Sequence, residues 1–432
     1  MPSVGHKKGT SYVKTWQMEP LAIAVLSALT PAGVQKHFYD DRFEIIPEDD
    51  KPDLVAINIE TYTARRAYQI AALYRAKGVP IVMGGFHASL CPDEVQEHAD
   101  TVVTGSAESV WEQVVEDCRA QKLQSRYNGE ICFVPVLPDR AIYSSKKYMP
   151  LVLLEAGRGC CFACEFCSIC AFFKHRYLPR PLDDVQKEIT ETEGRLYFFI
   201  DDNLAADKEH FTALLKRLIP LSIRWVGQVS IDTARDETLL DLMQASGCIG
   251  VLIGFESLEQ ANLGMMNKKI NRKAGNFSDA IAGLRRHSIA VYATFVFGYD
   301  LDTEETFRRT LDFALKERFF FTAFNHLVPF PGTPLYERLL EEKRLTDEKW
   351  WLNGSYRFGD VAFHPAHFSP AELAAMCLKY RKKFYSLSSI IRRSLDFRAN
   401  ISDPLKFLIF WSQAFINRGD IDRRQGLPLG QV

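Results

Sequence analysis

Residues 151–170 read LVLLEAGRGCCFACEFCSIC, and the rest of the chain falls into place around them. The stretch opens as a short apolar run, 151–155, of the kind that forms a buried strand. It then passes through Arg158-Gly159 into a loop holding Cys160, Cys161, Cys164, Cys167 and Cys170. Thiols this close on one loop pair poorly with each other, but they can wrap a metal or an iron–sulfur cluster. Two registers compete. Cys160-x3-Cys164-x2-Cys167 supplies three ligands and leaves a vacancy, whereas Cys161-x2-Cys164-x2-Cys167-x2-Cys170 supplies four and closes the site. A structural zinc drawn from four of the five thiols is a further alternative.

Toward the C-terminus the strand signal repeats at 196–200, 223–229, 249–255, 290–297 and 320–327. Helical stretches lie between these runs at 182–192, 210–218, 237–245, 278–287 and 303–317. Six strand–helix units in succession predict a parallel β/α barrel, or part of one, over 149–338. Chemistry collects at the carboxyl ends of such strands. Those ends carry Asp201-Asp202-Asn203, Gln228 with Ser230, Gly254-Phe255-Glu256-Ser257 and Phe297-Gly298-Tyr299-Asp300. For the aspartates a competing role is open, since Asp202 or Asn203 could cap the following helix. Beyond Pro334 the β signal fades, and 339–432 reads as helical and aromatic. Residues 405–416 (LKFLIFWSQAFI) are too short to span a bilayer, and their alternatives are a packing helix or contact with a lipid-like substrate or a membrane surface.

Toward the N-terminus, 1–125 alternates strand and helix on its own account. Strands are expected at 34–39, 53–59, 79–83 and 99–103, with helices at 67–75 and 108–118. This is the pattern of a parallel, Rossmann-like sheet, whose ligands sit at strand ends. Gly84, Gly85 and Gly105 occupy those ends. Residues 126–148, polar and containing VPVLPDR, are expected to link the two α/β units.

The bulk composition is that of an ordinary globular protein. Lys and Arg number 53 against 54 Asp and Glu, a net charge of −1, which offers nothing to a nucleic acid. No secretory leader and no membrane-spanning run is legible, so a cytoplasmic protein is expected. The scattered Cys91, Cys118, Cys132, Cys248 and Cys377 are expected to be small buried hydrophobes.

The segment 158–167, RGCCFACEFC, resembles the cluster loop of the radical S-adenosylmethionine superfamily. That resemblance implies a partial six-stranded β/α barrel in which Cys160, Cys164 and Cys167 hold a 4Fe–4S cluster. The open iron binds S-adenosylmethionine and cleaves it to a 5′-deoxyadenosyl radical. It also implies cofactor contacts from Phe166 against the adenine, from Glu256 in GFES to the ribose, and from Asp201 near the methionine amino group. Asp202, Gln228, Ser230, Gly254 and Phe297 complete the expected set. Cys161 and Cys170 are then spare thiols.

DLVAINIETYTARRAY (53–68), VPIVMGGFHASLCPDE (79–94), ADTVVTGSAESVW (99–111), WWLNGSYRFGDVAFHP (350–365) and RQGLPLG (424–430) extend the resemblance to the cobalamin-binding class of that superfamily, which includes hopanoid methylases and the anaerobic cyclase of bacteriochlorophyll synthesis. Gly84, Gly85 and Gly105 become candidate cobalamin contacts. Two departures stand out: the Asp-x-His-x-x-Gly loop that supplies a histidine to cobalt is absent, and the first strand would be expected before residue 2. His6 lies in the expected first loop, while His37 and His87 read as structural. The implied activity is cobalamin-dependent C-methylation, fed by a reductant such as flavodoxin or ferredoxin. The alternatives are oxidative cyclisation or rearrangement, and a non-catalytic electron-transfer or sensor protein. The 30 phenylalanines, with Phe319-Phe320-Phe321 and Trp350-Trp351, hint at an apolar substrate such as an isoprenoid or a tetrapyrrole.

Overall fold

In the computed structural model, which describes residues 17–430, the N-terminal apolar runs become β1 (Val55–Asn58), β2 (Ile81–Gly84) and β3 (Thr101–Gly105). They pair in parallel with a fourth strand, β4 (Arg126–Gly129), in the order β1-β2-β3-β4. Ile81, Val82 and Met83 of β2 are all buried, as an inner strand covered on both faces requires. The helix Ala64–Arg75 starts three residues earlier than expected, and Trp111–Arg119 starts three residues later. Two expectations for this region fail. Residues 34–39 form no strand: Gln35, Lys36 and His37 are all exposed, so the segment has no apolar face to bury. Conversely, β4 lies inside the stretch expected to be a linker, because an edge strand needs only one anchored side chain, here the buried Tyr127, and can otherwise be polar.

The central region forms β5 (Val152–Leu154), the short ribbon β6 (Gly157–Gly159) and β7 (Tyr177–Pro179), and then β8 (Leu196–Phe199), β9 (Arg224–Gln228), β10 (Cys248–Glu256), β11 (Ala290–Phe297) and β12 (Phe321–His326). Six of these make one parallel sheet in the order β5-β8-β9-β10-β11-β12. Its outermost strands, β5 and β12, are not paired with each other, so the barrel is partial. The five intervening helices all form, from Leu182–Glu191 to Glu304–Lys316. Alternation along the strands builds the core: Ala293, Phe295 and Phe297 of β11 are buried, while Thr294 and Val296 on the opposite face are only half-buried. The carboxyl ends of all six strands share one rim.

The C-terminal region is helical, with Pro334–Glu341, Pro370–Phe384, Leu387–Ser394 and Pro404–Arg424. Its start, however, belongs energetically to the N-terminal sheet. Trp350 and Trp351 are fully buried in one core with Ile57, Ile81 and Met83, so the tryptophan pair is packing. Phe319 and Phe320 are core as well. Among the described residues no helix is long and apolar enough to cross a membrane.

Candidate functional site at the strand ends

The antiparallel ribbon β6–β7 clamps the base of the cysteine loop, pairing Gly157 with Pro179 and Gly159 with Tyr177. The approach demands glycine. At Gly159, where φ is +82°, a Cβ would lie 2.3 Å from the Arg176 carbonyl oxygen. Beyond the clamp, Cys160 and Cys164 are buried and Cys167 is half-buried at the N-terminus of the helix Ser168–Phe173. These three thiols lie close enough to interact electrostatically, and burial pushes the Cys160 thiol up to about 12. The other two differ from each other in exposure. Cys161 is exposed, and Cys170 is buried inside the short helix with its sulfur 3.1 Å from the Phe162 carbonyl oxygen. A hydrogen bond from Cys170 also draws the Cys167 thiol down to about 7, against the effect of burial. Among the described residues no group of three His, Cys, Asp or Glu side chains converges on a single ion.

The loop is braced from three directions. Asp201 accepts a hydrogen bond from the Ala156 N–H at 3.0 Å, and Asp202 accepts one from the Gly159 N–H at 2.9 Å. Neither caps a helix. The cap of the next helix is Asp207, which accepts from the His210 N–H, so the capping alternative is set aside for both acids. From a second side, Asn267 donates to the Ala163 carbonyl at 2.7 Å, and the Glu165 N–H donates to the Met266 carbonyl. From a third, Arg338 pairs with Glu165 at 2.9 Å. No sequence signal marks Asn267 or Arg338, because each meets the loop from at least a hundred residues away.

Two ionisable side chains stand on the rim. Asp201 is buried, its Oδ1 has no hydrogen-bond partner, and burial holds its pKa well above the usual carboxylate range. Lys268 is 16% exposed and pairs with Glu256 at 2.9 Å, with its ammonium 6.0 Å from the centre of the Phe166 ring. Burial works against its charge, but Glu256 and Cys164 outweigh burial and raise its pKa. Glu256 reaches this position because β10 bulges between Gly254 and Glu256, putting Glu256 at φ +64°. Gly254 leaves the room: a Cβ there would lie 2.2 Å from Glu256 Oε1. Gln228 and Ser230 flank the neighbouring strand end, where Ser230 Oγ is 3.5 Å from Asn203 Nδ2. Phe297 does not join them. Its ring stacks on Phe307 at 3.9 Å within the core, since strand alternation turns it toward the helices.

The strand ends of the N-terminal sheet lie over this same loop. Arg158, next to Cys160, pairs with Glu108 of the β3 loop at 2.7 Å, and its guanidinium stacks over Phe133 at 4.4 Å. Phe86, just after β2, packs on Phe172 of the cysteine-loop helix at 4.6 Å. Gly85 and Gly105 stand at this junction, bridged by Ser89, which donates to the Gly85 carbonyl and accepts from the Gly105 N–H at 3.0 Å each. Both glycines have a steric reason of their own, for a Cβ would strike Asn58 at Gly85 and the Gly129 carbonyl at Gly105. Gly84 carries no such constraint. His87 is fully buried between Thr61 and Glu94, His37 is exposed, and His6 lies outside the described residues.

Four likenesses bear on this arrangement. Residues 154–314 match the model of the Radical SAM superfamily. The chain is 31% identical to the bacteriochlorophyllide d C-12(1)-methyltransferase of Chlorobaculum tepidum, over 87% of this chain and 84% of that one. It is 28% identical to the bacteriochlorophyllide d C-8(2)-methyltransferase of the same organism, over 87% of each. Among solved structures, the radical S-adenosylmethionine methyltransferase TsrM from Kitasatospora setae, with cobalamin and a [4Fe-4S] cluster bound, shares the fold with a TM-score of 0.60 at 18% identity, covering 76% of this chain and 72% of that one.

Proposed function

This chain belongs to the radical S-adenosylmethionine superfamily, and from that premise we propose that it is a cobalamin-dependent methyltransferase acting on a carbon of a tetrapyrrole macrocycle. The observation that carries this reading is the apposition of two strand-end rims. The glycine-bearing ends of β2 and β3 meet the cysteine loop through the Arg158–Glu108 and Phe86–Phe172 contacts. The two tetrapyrrole-methylating relatives support the substrate class.

Cys160, Cys164 and Cys167 would hold three irons of a 4Fe–4S cluster and would leave the fourth open, with Cys161 exposed and Cys170 held by the Phe162 carbonyl and hydrogen-bonded to Cys167. The unpartnered Asp201 Oδ1 suits an ammonium group and the Lys268 cation suits a carboxylate, the two ends of the methionine moiety. Glu256, held by Lys268, offers a carboxylate to ribose hydroxyls, and the half-buried Phe166 offers a face to adenine. Gly85, Gly105 and Ser89 would line the cobalamin, with His87 unable to reach it because Thr61 and Glu94 hold both ring nitrogens. When bound, these groups supply reductive cleavage of S-adenosylmethionine, hydrogen removal from the substrate carbon and a transferable methyl group. The protein's own part is orientation and exclusion of water around the loop. A low-potential reductant such as flavodoxin or ferredoxin would feed the cluster.

Anaerobic reconstitution with reductant, hydroxocobalamin and S-adenosylmethionine is expected to give 5′-deoxyadenosine and label transfer from methyl-labelled S-adenosylmethionine to a bacteriochlorophyllide. Formation of 5′-deoxyadenosine with an oxidised, unmethylated product would replace methylation by oxidative chemistry. Absence of 5′-deoxyadenosine from cluster-loaded protein would overturn the reading.

A further inference from the structure

Thirteen large apolar side chains are exposed among the described residues, and seven of them fall between 387 and 415. They form two stripes with helical spacing. Leu387, Ile391 and Leu395 run along the helix Leu387–Ser394 and its end, exposed by 51%, 55% and 51%. Phe407 and Phe415 bracket Trp411 along Pro404–Arg424, with the Trp411 and Phe415 rings stacked 6.0 Å apart, and Leu408 and Phe397 extend the face at 65% and 67% exposure. The two helices are held together from behind, where Ile390, Phe410 and Ala414 are buried against Ala290 and Phe320 of the barrel. The stripes are therefore presented outward on a fixed base. A contiguous apolar surface of this kind on a folded chain marks an interaction site.

The charges on this face are one-sided. Arg392, Arg398 and Arg418 are exposed, and neither Arg392 nor Arg398 is ion-paired among the described residues. The four carboxylates between 387 and 424 are all engaged: Asp396 is buried against Arg285 at 2.8 Å, Asp403 caps its helix and pairs with Arg224, Asp420 pairs with Arg423 and Arg424, and Asp422 pairs with Lys382. Lys406 is turned inward to the Ser288 carbonyl. A second copy packed symmetrically here would set arginine near arginine with no free carboxylate to answer it. An anionic bilayer answers both features at once, taking the apolar stripes at the level of its headgroups and acyl boundary and the arginines at its charged surface.

We propose that helices Leu387–Ser394 and Pro404–Arg424 dock this enzyme in the plane of an anionic lipid membrane. The inference stands on the surface alone and does not depend on the reaction assigned above. The full-length reconstituted protein is tested by flotation with large vesicles of phosphatidylcholine, with and without phosphatidylglycerol. It is expected to float with the anionic vesicles, about tenfold more weakly with neutral ones or at high salt. Ile391→Asp and Leu408→Asp, each at a side chain more than half exposed, should abolish flotation without lowering the melting temperature. Arg392→Glu with Arg398→Glu should remove the preference for anionic lipid. Failure of the wild-type protein to float, or unchanged flotation of the aspartate variants, overturns the proposal. So does a dimer in sedimentation that Ile391→Asp dissociates while no vesicle is bound, which would assign the face to a second copy.

Discussion

At the scale of single residues, the five clustered cysteines differ in exposure and in what holds each sulfur. Cys160 and Cys164 are buried, Cys167 is half-buried, Cys161 is exposed, and Cys170 is buried in a helix beside the Phe162 carbonyl. Serine at 160, 164 or 167 is therefore expected to bring iron and sulfide content to background, whereas serine at 161 or 170 should leave both near the wild-type level; loss at 170 equal to loss at 164 would restore the four-thiol register. The spacing alone narrows the ligands to two registers, because both fit a short loop. What separates them is the ribbon and helix on either side, which set the direction of each Cα–Cβ bond. Lys268 and Asn267 were not legible at all, since a lysine in a polar stretch acquires meaning only when folding buries it beside a carboxylate.

At the scale of elements, the bulge in β10 is what turns a strand-end glutamate into part of the site. Gly254 makes the turn of Glu256 toward Lys268 possible, and Gly254→Ala would place a Cβ 2.2 Å from Glu256 Oε1. Glu256 must then leave its ion pair. The expected result is about tenfold weaker binding of S-adenosylmethionine to cluster-loaded protein by calorimetry, or about 1.4 kcal/mol, with iron content unchanged. All six barrel strands were readable from their short apolar runs, since each buries at least one face in the core. The same reasoning failed at 34–39 and at β4. The first has apolar residues but exposes its middle, and the second is a polar edge strand whose only anchor is Tyr127.

At the scale of the whole molecule, Glu94 ties the N-terminal sheet to the C-terminal segment. It accepts from Tyr68 at 2.9 Å and from Trp351 at 3.0 Å, and it lies 3.1 Å from His87 and 3.2 Å from Lys349. Burial acts to raise its pKa, but the hydrogen bonds from His87, Trp351 and Tyr68 prevail and hold it at about 2. A carboxylate depressed in the folded state stabilises the protein above its unfolded pKa, and that stability is lost as pH falls toward the folded value. Denaturant titrations should therefore show roughly 3 kcal/mol disappearing between about pH 5 and pH 2. Glu94→Gln should be less stable at neutral pH and show a flatter acid response; an unchanged acid profile in the variant would remove Glu94 from this role. Sequence alone determined the two α/β series, the helical C-terminal region and the thiol loop after the first barrel strand, because period, propensity and spacing act over a few residues. Tertiary structure alone decided that Asp201 and Asp202 brace the loop, that Trp350 and Trp351 close the N-terminal core, and that the two rims meet. Each of those depends on contacts between segments far apart in the chain, whose partners no local pattern specifies.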